Sequence, residues 1–189
     1  GGGNVTTMEV NVLESQQAEG MVDSVVSSLG RIDILVNAVG GSTIIPNSRA
    51  TVDDLTLEDW DNIIDFNLRG TFLCTNAVIK RMKQQGIGKI INLSSVAGHG
   101  ASDTSSAYAT AKAGIMAFTK KVAVEAGPYG VTCNAIAPGM TLSDRILRGW
   151  EQRSEEEKRR SIEAIPLGRP AEPEDQAKVI AFLASSDAD

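Results

Sequence analysis

Tyr108 and Lys112 form a pair whose spacing brings a phenol and an ammonium to the same face of a helix. A free tyrosine has a pKa of about 10 and is a poor base at neutral pH. A cation at about 4 Å in a partly screened site can lower that pKa by up to about 3 units. A tyrosine tuned in this way exchanges a proton with an alcohol or carbonyl oxygen. The same spacing occurs by chance in many helices, so the pair alone does not define a site.

Two hydroxyl groups, those of Ser94 and Ser95, follow an apolar stretch that ends at Leu93. Ser95 precedes Tyr108 by thirteen residues, so a strand end and a helix start can face each other across a short loop. A serine there can hydrogen-bond the reacting oxygen, although such hydroxyls more often cap a helix or close a loop. No acid–histidine pair accompanies Ser95, which argues against a hydrolase triad. His99 is the only histidine, so few ligands are available for a metal site of the common His/Cys kind.

A third polar group, Asn37, precedes a turn that contains Gly40 and Gly41. Small residues there let the backbone approach a ligand, and the amide can donate and accept at once. Turn formation is nevertheless the commoner reason for this pattern.

Apolar periodicity divides the chain into alternating strands and helices. The predicted strands are residues 5–10, 32–37, 89–93 and 131–137, and the predicted helices are 15–29, 58–84, 105–126 and 173–185. This alternation indicates parallel strands joined by helical crossovers, and strands that are apolar throughout are buried on both faces. The expected fold is therefore α/β, a doubly wound, Rossmann-like parallel sheet in a single domain over residues 1–189. Ligands of such sheets bind at the carboxyl ends of the strands.

The composition is that of an ordinary globular protein, with 42% hydrophobic residues and a net charge of -6. The negative charge argues against a nucleic-acid partner, and no apolar stretch approaches the roughly 20 residues of a membrane span. Cys74 and Cys133 lie in apolar runs, which predicts two buried free thiols and a cytoplasmic location. The charged run at residues 151–160 predicts a solvated helix face.

Five motifs in order resemble the short-chain dehydrogenase/reductase family. They are NAVG at 37–40, NLRG at 67–70, INLSSVAG at 91–98, YATAK at 108–112 and NAIAPGM at 134–140. The resemblance extends from residue 11 to the end of the chain, and 3-oxoacyl-[acyl-carrier-protein] reductases are the most similar members. It implies an NAD(P)-dependent oxidoreductase that transfers a hydride between the cofactor and a carbonyl or alcohol.

The resemblance also assigns catalytic roles. Tyr108 would be the general acid/base, and Lys112 would lower its pKa and bind the nicotinamide ribose. Ser95 would polarise the substrate oxygen, and Asn67 would hold a water molecule that relays protons to Lys112. An asparagine in mid-helix is otherwise an unfavourable choice, which favours a role for Asn67.

The cofactor, NAD or NADP, would contact residues on both sides of the catalytic set. The residues implied are Asn11, Val12, Asn37, Ala38, Gly40, Tyr108, Lys112, Pro138, Gly139, Thr141 and Ser143. Asn11 stands where the family usually has Asp, residues 38–39 are Ala-Val instead of Asn-Ala, and the loop at 41–57 is longer than usual. The first two departures alter cofactor contacts without removing the site, and the longer loop implies a different mouth of the substrate site.

The phosphate-binding turn G-x-x-x-G-x-G does not occur in the sequence. We therefore expect a fold that lacks the first βαβα portion of the family and its last strand, and weak cofactor binding by the 189 residues alone. The residue that would decide between NAD and NADP lies in the portion that is expected to be lacking.

Several alternatives remain open at the sequence level. The substrate could be a sugar, polyol or steroid-like alcohol, and the same scaffold could serve a dehydratase, an epimerase or a binding protein without catalysis. The expected partners are a small-molecule substrate and copies of the same chain, in a dimer or tetramer. The small residues of helix 105–126 permit close packing, either between subunits or against the chain's own sheet.

Overall fold

Three parallel strands form the sheet in the part of the chain that the computed structural model describes, residues 3–100 and 102–189. They are β1 (Ile34–Asn37), β2 (Gly88–Leu93) and β3 (Val131–Ile136), in the spatial order β1-β2-β3. The α-helices of the described residues are α1 (Ser15–Leu29), α2 (Leu57–Ile64), α3 (Gly70–Gln85), α4 (Ser106–Ala126), α5 (Asp144–Glu151), α6 (Glu155–Glu163) and α7 (Pro173–Ala184).

The helices cover both faces of the sheet, which confirms the Rossmann-like fold predicted from the sequence. On one face, Val78 of α3 and Val122 of α4 pack with Ile90 of β2 in the main buried cluster, which α1 also joins. Ile91 points to the other face, because side chains alternate along a strand. There α7 packs against β2 and β3. Both isoleucines are fully buried, so the central strand is apolar because neither of its faces meets water.

A line of buried polar side chains crosses the sheet on the side of α3 and α4. Asn37 donates from Nδ2 to Thr75 Oγ1 at 3.1 Å and to Asn92 Oδ1 at 2.8 Å. Asn92 donates in turn to Thr119 Oγ1 at 2.9 Å. Asn37 and Asn92 are also paired in the register of β1 and β2. A shift of either strand would leave a buried amide without its partners, so these bonds fix the register where the strands end.

Local sequence explains where α4 begins and where α1 ends. Ser105 is the N-cap of α4, and its hydroxyl accepts a hydrogen bond from the Tyr108 backbone N–H at 3.4 Å. This cap places Tyr108 in the first turn of the helix. α1 ends at Gly30, which has a φ of 79° and donates its N–H to Val26 O at 2.8 Å.

The predicted helix at residues 58–84 contains an interruption. A π-helical turn, Asp65–Arg69, lies between α2 and α3. Asn67 lies within this turn, fully buried, and donates from Nδ2 to Ile63 O at 2.9 Å. Such turns are frequent at functional sites because they redirect side chains and backbone carbonyls. Apolar spacing could not predict the turn, since the residues on both sides keep a helical period.

Residues 5–10 are not a strand, and the sequence-based prediction is wrong there. Val5 and Met8 are 85% and 44% exposed, and residues 8–10 lie beside α1. Among the described residues β1 pairs with β2 only, so the segment has no strand beside it to accept and donate backbone hydrogen bonds. The other predicted strands and helices shift by at most two residues at either end.

The charged run at residues 151–160 is a solvated helix face, as predicted, and belongs mainly to α6. Ser154 caps this helix, and its hydroxyl accepts from Glu157 N while the Glu157 carboxylate accepts from Ser154 N. α5 precedes it at residues for which the sequence predicted no element, because the helix has only eight residues.

Cys74 and Cys133 are free and buried, as predicted. Burial raises the pKa of Cys133 to about 12, so this thiol stays protonated and unreactive at neutral pH. Within residues 3–100 and 102–189, no helix combines the length and the apolar character needed to cross a membrane.

Replacing Gly98 by alanine is expected to loosen the contact between α4 and the segment that follows β2. A Cβ at Gly98 would lie 2.7 Å from Ala113 N and 2.8 Å from Lys112 C, which are backbone atoms. We expect the free energy of unfolding in urea to fall by about 1–3 kcal/mol. Gly127→Ala is the matched control, because a Cβ there meets no atom within 4 Å. Equal losses in the two variants would contradict this packing.

Candidate active site

A cavity of about 410 Å³ opens at the carboxyl ends of β2 and β3. Ser95, Tyr108 and Lys112 all line it, so the structure brings together three of the four residues predicted to be catalytic. Six residues predicted to contact the cofactor also line it: Ala38, Gly40, Pro138, Gly139, Thr141 and Ser143. The site therefore lies where a doubly wound sheet is expected to bind its ligands.

Tyr108 is half-buried, and its burial raises the pKa of the phenol above the ordinary value. The nearby Ser95 hydroxyl and the positive charge of Arg145 act to lower this pKa but do not outweigh burial. The direction differs from the prediction that Lys112 lowers this pKa. Lys112 Nζ lies 5.6 Å from the centre of the Tyr108 ring and donates to a backbone carbonyl instead.

Lys112 connects α4 to the end of β2. Its Nζ donates to Leu93 O at 2.9 Å, and Ser94 Oγ donates to Lys112 O at 2.7 Å. The lysine side chain is buried, and burial together with the positive charge of Arg145 lowers its pKa to about 8. Its ammonium can therefore lose a proton only slightly above neutral pH.

Asn67 does not line the cavity but holds the backbone that does. Its Oδ1 accepts from Gly41 N at 2.9 Å, and its Nδ2 donates to Gly41 O at 3.0 Å as well as to Ile63 O. Lys112 Nζ lies on the other side of Gly40, at 3.1 Å from where a Cβ of that glycine would be. Both amide hydrogens of Asn67 are thus used within the protein, which leaves its two oxygens, Oδ1 and the backbone carbonyl, for the predicted water-holding role.

The segment after β3 forms another wall of the cavity. Pro138 O accepts from Val96 N at 3.1 Å, which ties this segment to the turn after β2. Thr141 forms an isolated parallel bridge with Ala171, and Gln176 of α7 donates to Thr141 Oγ1 at 3.4 Å. The segment is held at both ends before α5 begins.

A second, smaller cavity of about 160 Å³ adjoins the first, and Ala38 lines both. Val12 and Asn37 line the second cavity, although both amide hydrogens of Asn37 are used by the buried polar line. Asn11 lines neither cavity: it is exposed, and its Oδ1 accepts from Leu13 N at 3.1 Å before α1 begins. The predicted cofactor residues thus form two neighbouring groups, with Asn11 outside them.

Sequence reasoning missed Arg145 and Gln176, which both line the larger cavity. Arg145 lies in the first turn of α5, and no periodicity or motif distinguishes it from other exposed arginines. Its position two residues after Ser143 was the only available signal, because a residue that follows a predicted binding loop can turn back towards it.

The comparisons with known proteins agree with the fold and with the family that the motifs resemble. The family model described as enoyl-(acyl carrier protein) reductase matches residues 1–189. The 3-oxoacyl-[acyl-carrier-protein] reductase of Synechocystis sp. is 39% identical, over 99% of this chain and 71% of the relative. The reductase FabG of Staphylococcus aureus is 36% identical, over 96% of this chain and 70% of the relative. The crystal structure of NAD+-bound xylitol dehydrogenase superposes with a TM-score of 0.85 at 28% identity, covering 95% of this chain and 72% of that one.

The chain belongs to the short-chain dehydrogenase/reductase family, a family of NAD(P)-dependent oxidoreductases. Within that family it is similar to the 3-oxoacyl-[acyl-carrier-protein] reductases. The resemblance inferred from five sequence motifs is confirmed.

The low pKa of Lys112 gives a measurable titration. In protein labelled with 13C-lysine, one lysine side chain should titrate near pH 8, and Lys112→Met should remove that signal. The folded protein releases this proton more readily than the unfolded chain, whose lysine keeps a pKa of about 10.4. The contribution of Lys112 to the free energy of unfolding should therefore rise from pH 8 to 10 relative to Lys112→Met. The absence of any lysine signal that titrates near pH 8 would contradict the burial of this ammonium.

Proposed function

We propose that the chain transfers a hydride between a nicotinamide cofactor and a carbonyl/alcohol pair, with a 3-oxoacyl thioester as the favoured carbonyl substrate. The observation that carries the proposal is the convergence of Ser95, Tyr108 and Lys112 on one cavity at the strand ends. Similarity to two 3-oxoacyl-[acyl-carrier-protein] reductases supports the substrate class. Similarity to a dehydrogenase solved with NAD+ supports the cofactor.

The surroundings of Gly40 fit such a cofactor. Gly40 has a φ of 153°, and a Cβ there would lie 2.7 Å from Asn67 Oδ1 and 3.1 Å from Lys112 Nζ. A side chain would collide with both groups, so only glycine lets the backbone lie this close to the ammonium and leaves this wall of the cavity open to a polar ring or a ribose. The residues proposed to hold NAD or NADP are Asn11, Val12, Asn37, Ala38, Gly40, Tyr108, Lys112, Pro138, Gly139, Thr141 and Ser143. The bound cofactor would supply or accept the hydride.

Tyr108 is proposed to protonate the substrate oxygen in the direction of reduction. Because burial raises the pKa of the phenol, Tyr108 is protonated at neutral pH and available as an acid. The Ser95 hydroxyl lines the same cavity as the phenol and lowers its pKa, and it is placed to donate to the same substrate oxygen. The phenolate formed by proton transfer gains stability from nearby positive charge, and the Lys112 ammonium can return a proton to it.

Asn67 is proposed to act mainly by position. Its amide holds Gly41 through two hydrogen bonds, and so keeps the turn beside Gly40 at a fixed distance from Lys112. Oδ1 and the backbone carbonyl oxygen each keep one lone pair, through which Asn67 could bind a water molecule on the path to Lys112.

Tyr108→Phe tests the proposed function. This variant removes one hydroxyl, and we expect kcat/KM for acetoacetyl N-acetylcysteamine to fall by about 100- to 10,000-fold. The assay follows oxidation of NADPH or NADH at millimolar concentration, so that weak cofactor affinity does not limit turnover. Tyr129→Phe is the matched control, because Tyr129 is 52% exposed and does not line the cavity.

Thermal unfolding of both variants checks that any loss of activity does not come from misfolding. Full activity of Tyr108→Phe would refute the role of the phenol. No turnover by the wild-type chain with either cofactor would refute the oxidoreductase activity and favour a binding protein of the same fold.

A homo-oligomer, dimer or tetramer, is proposed as the assembly, with α3 and α4 as the contact surface. The small residues Ala107 and Ala111 do not serve this purpose, because they are fully buried against α2 within the chain. The outer surface of the two helices instead exposes Phe72 at 45% and Val124 at 71%. Phe72 meets Phe118 edge to face, with ring centres 6.1 Å apart, so an aromatic pair joins the two helices at this surface.

Phe72→Glu should shift the chain towards monomer in light scattering coupled to size-exclusion chromatography. A charge placed at a buried apolar contact costs several kcal/mol unless it is paired. Leu29→Glu on α1 is the control, because Leu29 is 73% exposed and lies on a different helix. A wild-type chain that is monomeric, or a Phe72→Glu variant with an unchanged mass, would refute the proposed surface.

A cytoplasmic location is proposed on the two cysteines. Both thiols are buried and unpaired, and reducing compartments keep thiols in that state.

A further inference from the structure

Arg145 places a second positive charge in the cavity that contains Tyr108 and Lys112. Its guanidinium lies against the backbone of Gly41, where an added Cβ would be 2.5 Å from Nη1 and 3.2 Å from Nη2. In residues 3–100 and 102–189, no carboxylate lies within ion-pair distance of this guanidinium. Nothing in the proposed proton transfer requires an arginine here.

The charges around the cavity all have the same sign. α4 contributes Lys112 and the titratable Tyr108, and α5 contributes Arg145. The other lining residues, from the segments after β1, β2 and β3 and from α7, carry no charge. Arg145 acts on both α4 side chains, lowering the pKa of Lys112 and that of Tyr108. Two cations without a carboxylate repel each other, and an anion between them would relieve that repulsion.

We propose that Arg145 binds an anionic oxygen group, a carboxylate or phosphate, of the ligand that reaches Tyr108. The inference deepens the proposed function and rests on it, because the ligand is either the substrate or the cofactor of the same site. A guanidinium offers two parallel N–H donors to such a group. The group belongs either to the phosphates of the cofactor or to a 3-oxo substrate that carries a carboxylate in addition to its reacting ketone, which a simple 3-oxoacyl thioester does not.

The titration of Lys112 reports an anion bound in this cavity without any need for turnover. The probes are acetoacetate, its neutral ethyl ester and NADPH, added to 13C-lysine-labelled chain. An anion beside the ammonium favours the charged form, so acetoacetate or NADPH should raise the Lys112 titration midpoint by about one pH unit. Ethyl acetoacetate should leave it unchanged.

Variants of α5 test whether Arg145 is responsible. Arg145→Met should abolish the shift of the midpoint and weaken Kd for the anionic probe about 10- to 100-fold by calorimetry. Arg145→Lys, which keeps the charge, should recover part of the affinity. Arg148→Met is the matched control, since Arg148 is exposed on the same helix and does not line the cavity.

The two sources of the anion give different results. Weaker acetoacetate binding with unchanged NADPH binding in Arg145→Met assigns the group to the substrate, and the reverse assigns it to the cofactor. The proposal is overturned if neither probe moves the Lys112 midpoint in the wild type, or if Arg145→Met binds both probes like the wild type. Turnover is scored separately: a chain that binds acetoacetate through Arg145 but reduces no ketone supports the anion site and refutes the oxidoreductase activity.

Discussion

The attachment of α4 to the end of β2 is the interaction on which the site depends. Lys112 Nζ donates to Leu93 O, and Ser94 Oγ donates to Lys112 O, so each element supplies one donor and one acceptor. These bonds are buried or partly buried, and a slide of the helix would leave polar groups without partners. Tyr108 lies one turn before Lys112 on the same helix. Its distance from Ser95 is therefore set by the same attachment.

Burial disfavours the charged form of both proton-exchanging side chains. It raises the pKa of the Tyr108 phenol and lowers that of the Lys112 ammonium, because in both cases the charged form loses solvation. The two pKa values, which nearly coincide at about 10 and 10.4 in the free side chains, are thereby driven apart, so that the phenol becomes the weaker acid of the pair and the ammonium the stronger. Transfer of a proton from the Lys112 ammonium to a Tyr108 phenolate is therefore favourable and would restore the phenol.

The sequence predicts features that depend on neighbours along the chain better than those that depend on packing. Apolar runs identify β2 and β3, and the spacing of four identifies the Tyr108–Lys112 pair, because each follows from the geometry of a single element. The segment at residues 5–10 has the composition of a strand, yet a strand exists only where another strand accepts its hydrogen bonds. Arg145 reaches Gly41 across more than one hundred residues of chain, and its role depends on a fold that no local pattern specifies.

The asparagines at the site show how one side chain can join several segments of the chain around a cavity. Asn37 donates its two amide hydrogens to Thr75 and Asn92. Asn67 donates its two to the backbone carbonyls of Gly41 and Ile63. An amide whose two hydrogens are engaged keeps only its oxygen for a ligand, but it joins separate segments of the chain, because it can donate two hydrogen bonds and accept others at the same time. The turn that contains Gly40 lies between these two asparagines: Asn37 is at the end of β1, and Asn67 of the π-helical turn binds Gly41. Its backbone can lie close to Lys112 because the asparagines hold the chain on either side of a residue that has no side chain of its own.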